Sequence, residues 1–515
     1  MSIGSLARIK IDPARTIGLI DPAIYGGFIE HLGRCIYGGI FDEQSPLSDE
    51  HGFRRDVMDA IRELGVPLLR WPGGLFASGY HWVDGIGPRD SRPRRLELAW
   101  QAEESNRFGT DEFLQYCRAL PTDPVLCINM GTGTIDEAHA WVEYCNGKGD
   151  THWANLRRKN GSEEPYGVRY WCLGNEAYNR MAIGTLSAED YVKNAVEFAK
   201  VMKMVDPTIR LIASGLNGWS RWDRIVIEGL AQYVDFHSLH LYTGSADYYS
   251  NVFAPHLAER ALRVCEGVIE GVRYQQDIKH PIGIAYDEWN VWFRAASPPW
   301  AEWAEIDASG GMEETYSLAD ALAVAAYLNV FIRHCSTVRM ANIAQLVNVL
   351  APIMTSSEGL VRQTIFHPLC LYSRHMRGEA LDTYVDCDVH DLRPQDETSP
   401  WPHRVADLGP FKLLDASAVR DPKTRTVNLA VINRDLTRDV RAVVQIAGTA
   451  GSAGGAAFEL NSSSVDSVNS FDAPDGVTVV QRPIEGGVND LTYSFPAHSL
   501  TLLTLQPGPA TDQPR

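Results

Sequence analysis

The sequence predicts a (β/α)8 barrel followed by an all-β sandwich, and three observations carry that expectation. Eight short apolar runs alternate with longer amphipathic stretches between about residues 20 and 375. The amphipathic stretches carry helix caps, and helical period disappears beyond about residue 380. The eight runs are residues 23–30, 67–74, 124–131, 168–176, 210–215, 234–242, 282–290 and 340–348. Runs such as Leu68-Leu-Arg-Trp71 and Val125-Leu-Cys-Ile128 are apolar without alternation, as suits strands covered on both faces. A doubly wound sheet is the competing arrangement for the same pattern.

Between the strands, residues 187–206 place Tyr191, Ala195, Phe198, Met202 and Val205 about one helical turn apart, with Ser187 and Asp190 as N-cap and N3. Pro207 ends that helix. Residues 317–335 repeat the device, with Ser317 capping and Asp320 at N3. After the barrel, residues 411–420, 426–433, 440–446 and 491–505 read as strands, and the piece 7–11 at the start of the chain is expected to pair with them. The expected division is a barrel over 20–378, a sandwich over 379–507 with 1–19, and a disordered tail over 508–515. Gly/Ala/Ser-rich residues 448–457 and Ser/Asn-rich residues 461–470 read as loops.

Composition narrows the function classes. Lys+Arg 47 against Asp+Glu 65 gives a net charge of −18, which repels phosphate backbones and anionic lipid, so neither nucleic acid nor a membrane surface is expected as a partner. The apolar run 321–328 is far short of the roughly 20 residues that span a bilayer. Arg8 and Lys10 have no apolar segment behind them, and the nine cysteines are odd in number and scattered, so a cytoplasmic protein with reduced thiols is expected.

Catalytic residues of such barrels sit at the C-terminal ends of the strands. Here those ends carry Glu30-His31, Asn175-Glu176 and Asp287-Glu288-Trp289-Asn290, with Arg70, Trp71, His240, Tyr242 and Gln345 on the others. Two carboxylates amid aromatic walls are what glycoside hydrolysis needs: one protonates the leaving oxygen and the other attacks the anomeric carbon or activates water. A single glutamate at a strand end is more often solvated or an arginine's partner. Asn175 and Asn290 beside the acids, and the placement of strands four and seven across the barrel mouth, favour the catalytic reading. Gly131-Thr-Gly133-Thr follows a strand, but Asp136 stands where a dinucleotide fingerprint needs its third glycine. His237 and His240 could form a metal pair, although a buried hydrogen-bonded histidine and a sugar contact fit them better. Trp289, Trp292, Trp300 and Trp303, mixed with Arg294 and Pro298-Pro299, read as a loop over the site.

Several blocks in order, IYGGFIEHLGRCIYGGI over 24–40, RWPGG over 70–74, GPRD over 87–90 with Trp100 following, WCLGNE over 171–176 and DEWN over 287–290, resemble the α-L-arabinofuranosidases of glycoside hydrolase family 51 from about residue 5 to residue 505. The resemblance implies a barrel with a C-terminal sandwich, retention at the anomeric carbon, an oligosaccharide substrate, no metal or other cofactor, and commonly a hexamer. By position it implies Glu176 as acid/base and Glu288 as nucleophile. Glu30, Arg70, Asn175, His240, Tyr242 and Gln345 match residues lining the furanose subsite, and Trp100 and Trp292 match aromatics beside the leaving group. Leu75 departs from the usual Asn or Cys at its position.

The retaining scheme gives three further expectations: that Glu288 raises the pKa of Glu176, that Asn175 meets the sugar 2-hydroxyl, and that Tyr242 orients Glu288. A galactofuranosidase, endo-xylanase or endo-glucanase on the same barrel, and an inactive carbohydrate-binding barrel, are the competing functional readings.

Overall fold

Eight parallel strands close on themselves, which excludes the doubly wound alternative. A computed structural model describes residues 6–294, 312–394, 404–448, 452–485 and 491–507. The barrel strands are β1 (Gly26–Phe28), β2 (Leu68–Trp71), β3 (Asp123–Cys127), β4 (Tyr170–Leu173), β5 (Arg210–Ala213), β6 (Phe236–Thr243), β7 (Gly283–Val291) and β8 (Val338–Ala344). Each pairs in parallel with the next, and β8 returns to β1 through Asn342 opposite Gly26. All eight lie within the apolar runs of the sequence or overlap them. Their continuous burial, four of four residues in β2 and nine of nine in β7, is what two-sided coverage by barrel contents and helices produces.

Helices follow the strands as the periodicity requires. Ala188–Val205 starts at Ser187, whose hydroxyl accepts from Asp190 N at 3.1 Å. Leu318–Arg333 begins with a reciprocal cap in which Asp320 Oδ2 accepts from Ser317 N at 2.8 Å. This second helix is buried from Leu318 to Ile332 and exposes no face of that span to solvent. The reason is that it packs against β7 on one side and against the C-terminal sheet on the other, where Asn329 and Arg333 reach Asp415 at 3.1 and 3.0 Å.

The C-terminal sheet has nine strands and includes Ala7–Leu19, which pairs antiparallel with Glu379–Asp386 and parallel with Val440–Ile446. The sheet curls over one core to which both of its ends contribute, Ala457 and Ile484 from one and Phe495 from the other. Tyr493 closes the curl by donating to Glu459 Oε1 at 2.7 Å.

Two expectations change here. Residues 491–505 form two strands, Leu491–Phe495 and Ser499–Pro507, divided at the turn of Pro496 to His498. Most of 448–457, read as a loop, belongs to the strand Ser452–Leu460. A Cβ on Gly455 would meet Thr504 O at 1.8 Å, so this small-residue composition reflects close strand approach and not a turn. Residues 461–470 lie outside strands, and 508–515 fall outside the described residues.

Candidate active site

The strand ends converge on a cavity of about 420 Å³ at the C-terminal mouth of the barrel. Glu30, Leu75, Trp100, Asn175, Glu176, His240, Tyr242, Glu288, Trp292 and Gln345 all line it, and Arg70 lies buried beneath. The site is built around that arginine. Arg70 donates from Nη1 to Glu288 Oε1 at 2.6 Å and from Nη2 to Asn175 Oδ1 at 2.5 Å, while its Nε lies 3.5 Å from Asp287 Oδ2. Phe28 packs under the guanidinium at 4.5 Å. Tyr242 donates to the other oxygen of Glu288 at 3.0 Å, so both oxygens of that carboxylate are held.

Asp287 and Glu288 are adjacent, and in a regular strand one of them would face the helices. Both face the barrel interior because β7 carries a bulge: its register shifts between Ala285 and Glu288 against β6 and between Tyr286 and Trp289 against β8. Tyr286 and Trp289 then point outward onto Phe331.

Glu176 follows β4 with φ +40, a left-handed conformation rare outside glycine and found where a site over-determines the backbone. Its carboxylate receives three donors. Tyr178 donates to Oε1 at 3.0 Å, Asn179 Nδ2 to Oε2 at 2.8 Å, and His240 Nδ1 lies 2.9 Å from Oε1. One donor atom each from Glu176, His240 and Glu288 fall within 4.8 Å of one another. A cation could meet such a set, but Arg70, Tyr242, Tyr178 and Asn179 already engage the two carboxylates. The arrangement is an ion-pair network, and no metal ligand is assigned.

Electrostatics separate the environments of Glu30 and Glu176. Burial and the charge of Glu288 push Glu30 up to about 8, against the hydrogen bonds from Phe76 N and Trp100 Nε1. Burial also acts upward on Glu176, but the hydrogen bond and charge of His240, then Asn179 and Tyr178, bring it below the ordinary carboxylate value. The expectation of a raised Glu176 is therefore corrected: the hydrogen bond and then the charge of His240, whose Nδ1 lies 2.9 Å from Glu176 and 3.5 Å from Glu288, together with Asn179 and Tyr178 outweigh burial. Burial opposes a charged ring at His240, yet the Glu288 and Asp287 carboxylates hold it well above its usual range.

Other expectations resolve as follows. Gln345 accepts from Glu30 N at 3.1 Å and donates to Glu30 Oε2 at 3.2 Å. Asn175 Nδ2 is buried without a partner. Asn290 does not flank the acids; its amide donates to Ala344 O and Leu350 O, joining β7 to the segment after β8. His237 bonds Asp223 at 2.9 Å in the core and is not a metal partner of His240. Thr134 caps the helix Ile135–Asn146 after the 131–134 segment. Trp292 stacks edge-on to Tyr242 at 5.3 Å, and Trp300, Trp303 and Pro298-Pro299 lie outside the described residues. Sequence reasoning missed Tyr178, Asn179 and the supporting role of Asp287, although Asp287 adjoins Glu288 and the other two follow Glu176 within three residues.

Known proteins resemble this chain over nearly its whole length. The profile of the α-L-arabinofuranosidase 1 domain matches residues 60–259, and that of the α-L-arabinofuranosidase C-terminal domain matches 287–499, beginning inside β7. The chain is 44% identical over 511 residues, 96% of either chain, to the probable α-L-arabinofuranosidase C of Aspergillus clavatus. It is 39% identical over 444 residues, 83% of this chain and 85% of the other, to the intracellular exo-α-(1→5)-L-arabinofuranosidase 1 of Bacillus subtilis. The crystal structure of the Thermotoga maritima α-L-arabinofuranosidase in its arabinose complex superposes with a TM-score of 0.88 at 37% identity, over 97% of this chain and 99% of that one.

Proposed function

The chain belongs to the family 51 α-L-arabinofuranosidases and is a glycoside hydrolase, and from that premise we propose that Glu288 is the nucleophile and Glu176 the acid/base of a retaining double displacement. The observation that carries this assignment is the approach of their carboxylate oxygens to within 4.8 Å, near the separation of about 5 Å that retention requires. Glu288 is held at both oxygens by Arg70 and Tyr242, which aims it at the anomeric carbon. The orphaned Nδ2 of Asn175 supports a hydrogen bond to the sugar 2-hydroxyl, a contact that strengthens as the oxocarbenium-like transition state forms. Glu30 and Gln345 line the same furanose subsite, and Trp100, tied to Glu30 at 3.1 Å, and Trp292 flank the leaving group.

The substrate we infer is a terminal α-L-arabinofuranosyl residue of arabinan- or arabinoxylan-type oligosaccharides, supported by the exo-α-(1→5)-L-arabinofuranosidase activity for which the B. subtilis relative is named. An intracellular location is supported by that relative's name and by nine cysteines without disulfides. Among the described residues, no helix is long and apolar enough to cross a membrane. A homo-oligomer, by family resemblance a hexamer, is in keeping with the exposed Leu96 and Leu98.

Azide rescue tests the acids. Glu176→Ala with azide should give the α-azide, with net retention, and Glu288→Ala the β-azide. The same anomer from both variants, or near-full activity in either, overturns the assignment.

A further inference from the structure

Both ring nitrogens of His240 face carboxylates. Nδ1 lies 2.9 Å from Glu176 Oε1 and 3.5 Å from Glu288 Oε2, and Nε2 lies 3.1 Å from Asp287 Oδ1. A neutral imidazole has a single N–H and would leave one lone pair against an acceptor, whereas the imidazolium donates on both sides. Glu176, by contrast, meets only donors. Asn179 Oδ1 accepts from Met181 N at 3.0 Å, which fixes the amide so that its Nδ2 must face Glu176 Oε2. Protonation at Oε2 would set an O–H against that amide, which cannot accept, whereas at Oε1 the second neighbour is the Tyr178 hydroxyl, which can turn and accept, so the oxygen that can take up a proton is Oε1, the one beside His240.

We propose that His240, braced by Asp287, stores the proton that Glu176 passes to the leaving group. This rests on Glu176 being the acid/base. With substrate bound, the Nδ1–H bond of His240 breaks as the O–H bond of Glu176 Oε1 forms. That proton then moves to the glycosidic oxygen while the bond to C1 breaks, its electron pair staying on the leaving oxygen, and Glu288 forms its ester with C1. In the second half, water gives a proton to Glu176 as its oxygen bonds C1, the ester C–O bond breaks and Glu288 regains its charge. Glu176 returns the proton to His240, so the count closes over the cycle, and the two residues titrate as one unit.

The surrounding charges fit this arrangement. Arg70 contacts Asp287 and Glu288 and offsets part of their charge. Glu30 keeps its proton up to about 8 and adds no negative charge below that. The hydroxyls of Tyr178 and Tyr242 are pushed well above their ordinary range by burial and the neighbouring carboxylates, so they stay protonated and add no negative charge. Asp287 is buried, and the Cys172 thiol lies 3.8 Å from its Oδ2.

The test compares the kcat/KM–pH profiles of the parent enzyme and Asp287→Asn on an alkyl arabinofuranoside, which needs acid assistance, and on a dinitrophenyl arabinofuranoside, which does not. Asp287→Asn should move the basic limb on the alkyl substrate down by about one pH unit and lower its neutral-pH kcat/KM on the order of tenfold, while changing the dinitrophenyl substrate by about threefold or less. Equal losses on both substrates with an unmoved limb would make Asp287 a structural prop and overturn the proposal. Histidine 15N resonances of the parent enzyme give an independent reading that needs no variant: imidazolium shifts for His240 near pH 7 are expected, and a neutral ring there overturns the proposal. Glu176→Gln separates the two levels, because full activity of that variant on the alkyl substrate would sink the acid/base assignment itself.

Discussion

Tyr242 donates its hydroxyl to Glu288 Oε2 at 3.0 Å, on the oxygen opposite the one that Arg70 holds. A hydrogen bond to a charged group contributes about 1.5–3 kcal/mol, so Tyr242→Phe should slow formation of the glycosyl-enzyme by roughly 10- to 150-fold. Both good and poor leaving groups need the nucleophile, so steady-state rates on the two should fall together. A loss confined to poor leaving groups would place Tyr242 with Glu176 instead.

Glu30 should make stability depend on pH. Folded, it keeps its proton to about 8; unfolded, it releases it near 4.5. Between those values the native state holds the extra proton, so stability falls as pH rises, at a limiting slope of about 1.4 kcal/mol per pH unit, and levels off above. Glu30→Gln removes this titration at the cost of the 3.2 Å bond from Gln345. The expected result in ligand-free calorimetry is a variant whose Tm gains on the parent from pH 4.5 to 8. Parallel curves would mean that Glu30 is ionised throughout.

Leu75 lines the cavity where the family more often has a polar or thiol side chain, and it follows Gly74 directly. A neutral hydrogen bond contributes about 0.5–1.5 kcal/mol, so Leu75→Asn should change specificity constants by about tenfold at most and leave the arabinofuranoside preferred. Gly74→Ala should do more damage, since its Cβ would stand 2.4 Å from Glu30 Oε2. A galactofuranoside preferred a hundredfold over the arabinofuranoside would instead mark Leu75 as the sign of a different activity.

Chelators should leave turnover unchanged, because Arg70 and His240 supply the positive charge that a metal would bring. Loss of activity in EDTA with recovery on adding a divalent ion would contradict this.

The barrel strands were legible because two-sided burial writes them as short, largely apolar runs, broken mainly where polar side chains enter the barrel, and Glu176 and Glu288 stood at the ends of two. The neighbours of those acids were harder to read. Strict alternation assigns Asp287 and Glu288 to opposite faces, and only the bulge in β7, which leaves no compositional mark, turns both inward. Tyr178 and Asn179 sit in an aperiodic turn, where nothing in the sequence distinguishes a donor aimed at Glu176 from a solvated loop. Gly455 misled in the other direction, its missing side chain serving strand approach where a loop was expected.

The helix Leu318–Arg333, largely apolar and buried along Leu318 to Ile332, ties the C-terminal sheet to the catalytic barrel. Cutting the chain after Gly378 would expose a greasy surface directly behind β7, the strand that carries Glu288, and the fragment would be expected to aggregate before it could be assayed. A chimera that exchanges sheets between relatives must therefore carry the facing residues Asn329 and Arg333 along with Asp415, so the seam for grafting runs along this helix and not through the linker that follows the barrel.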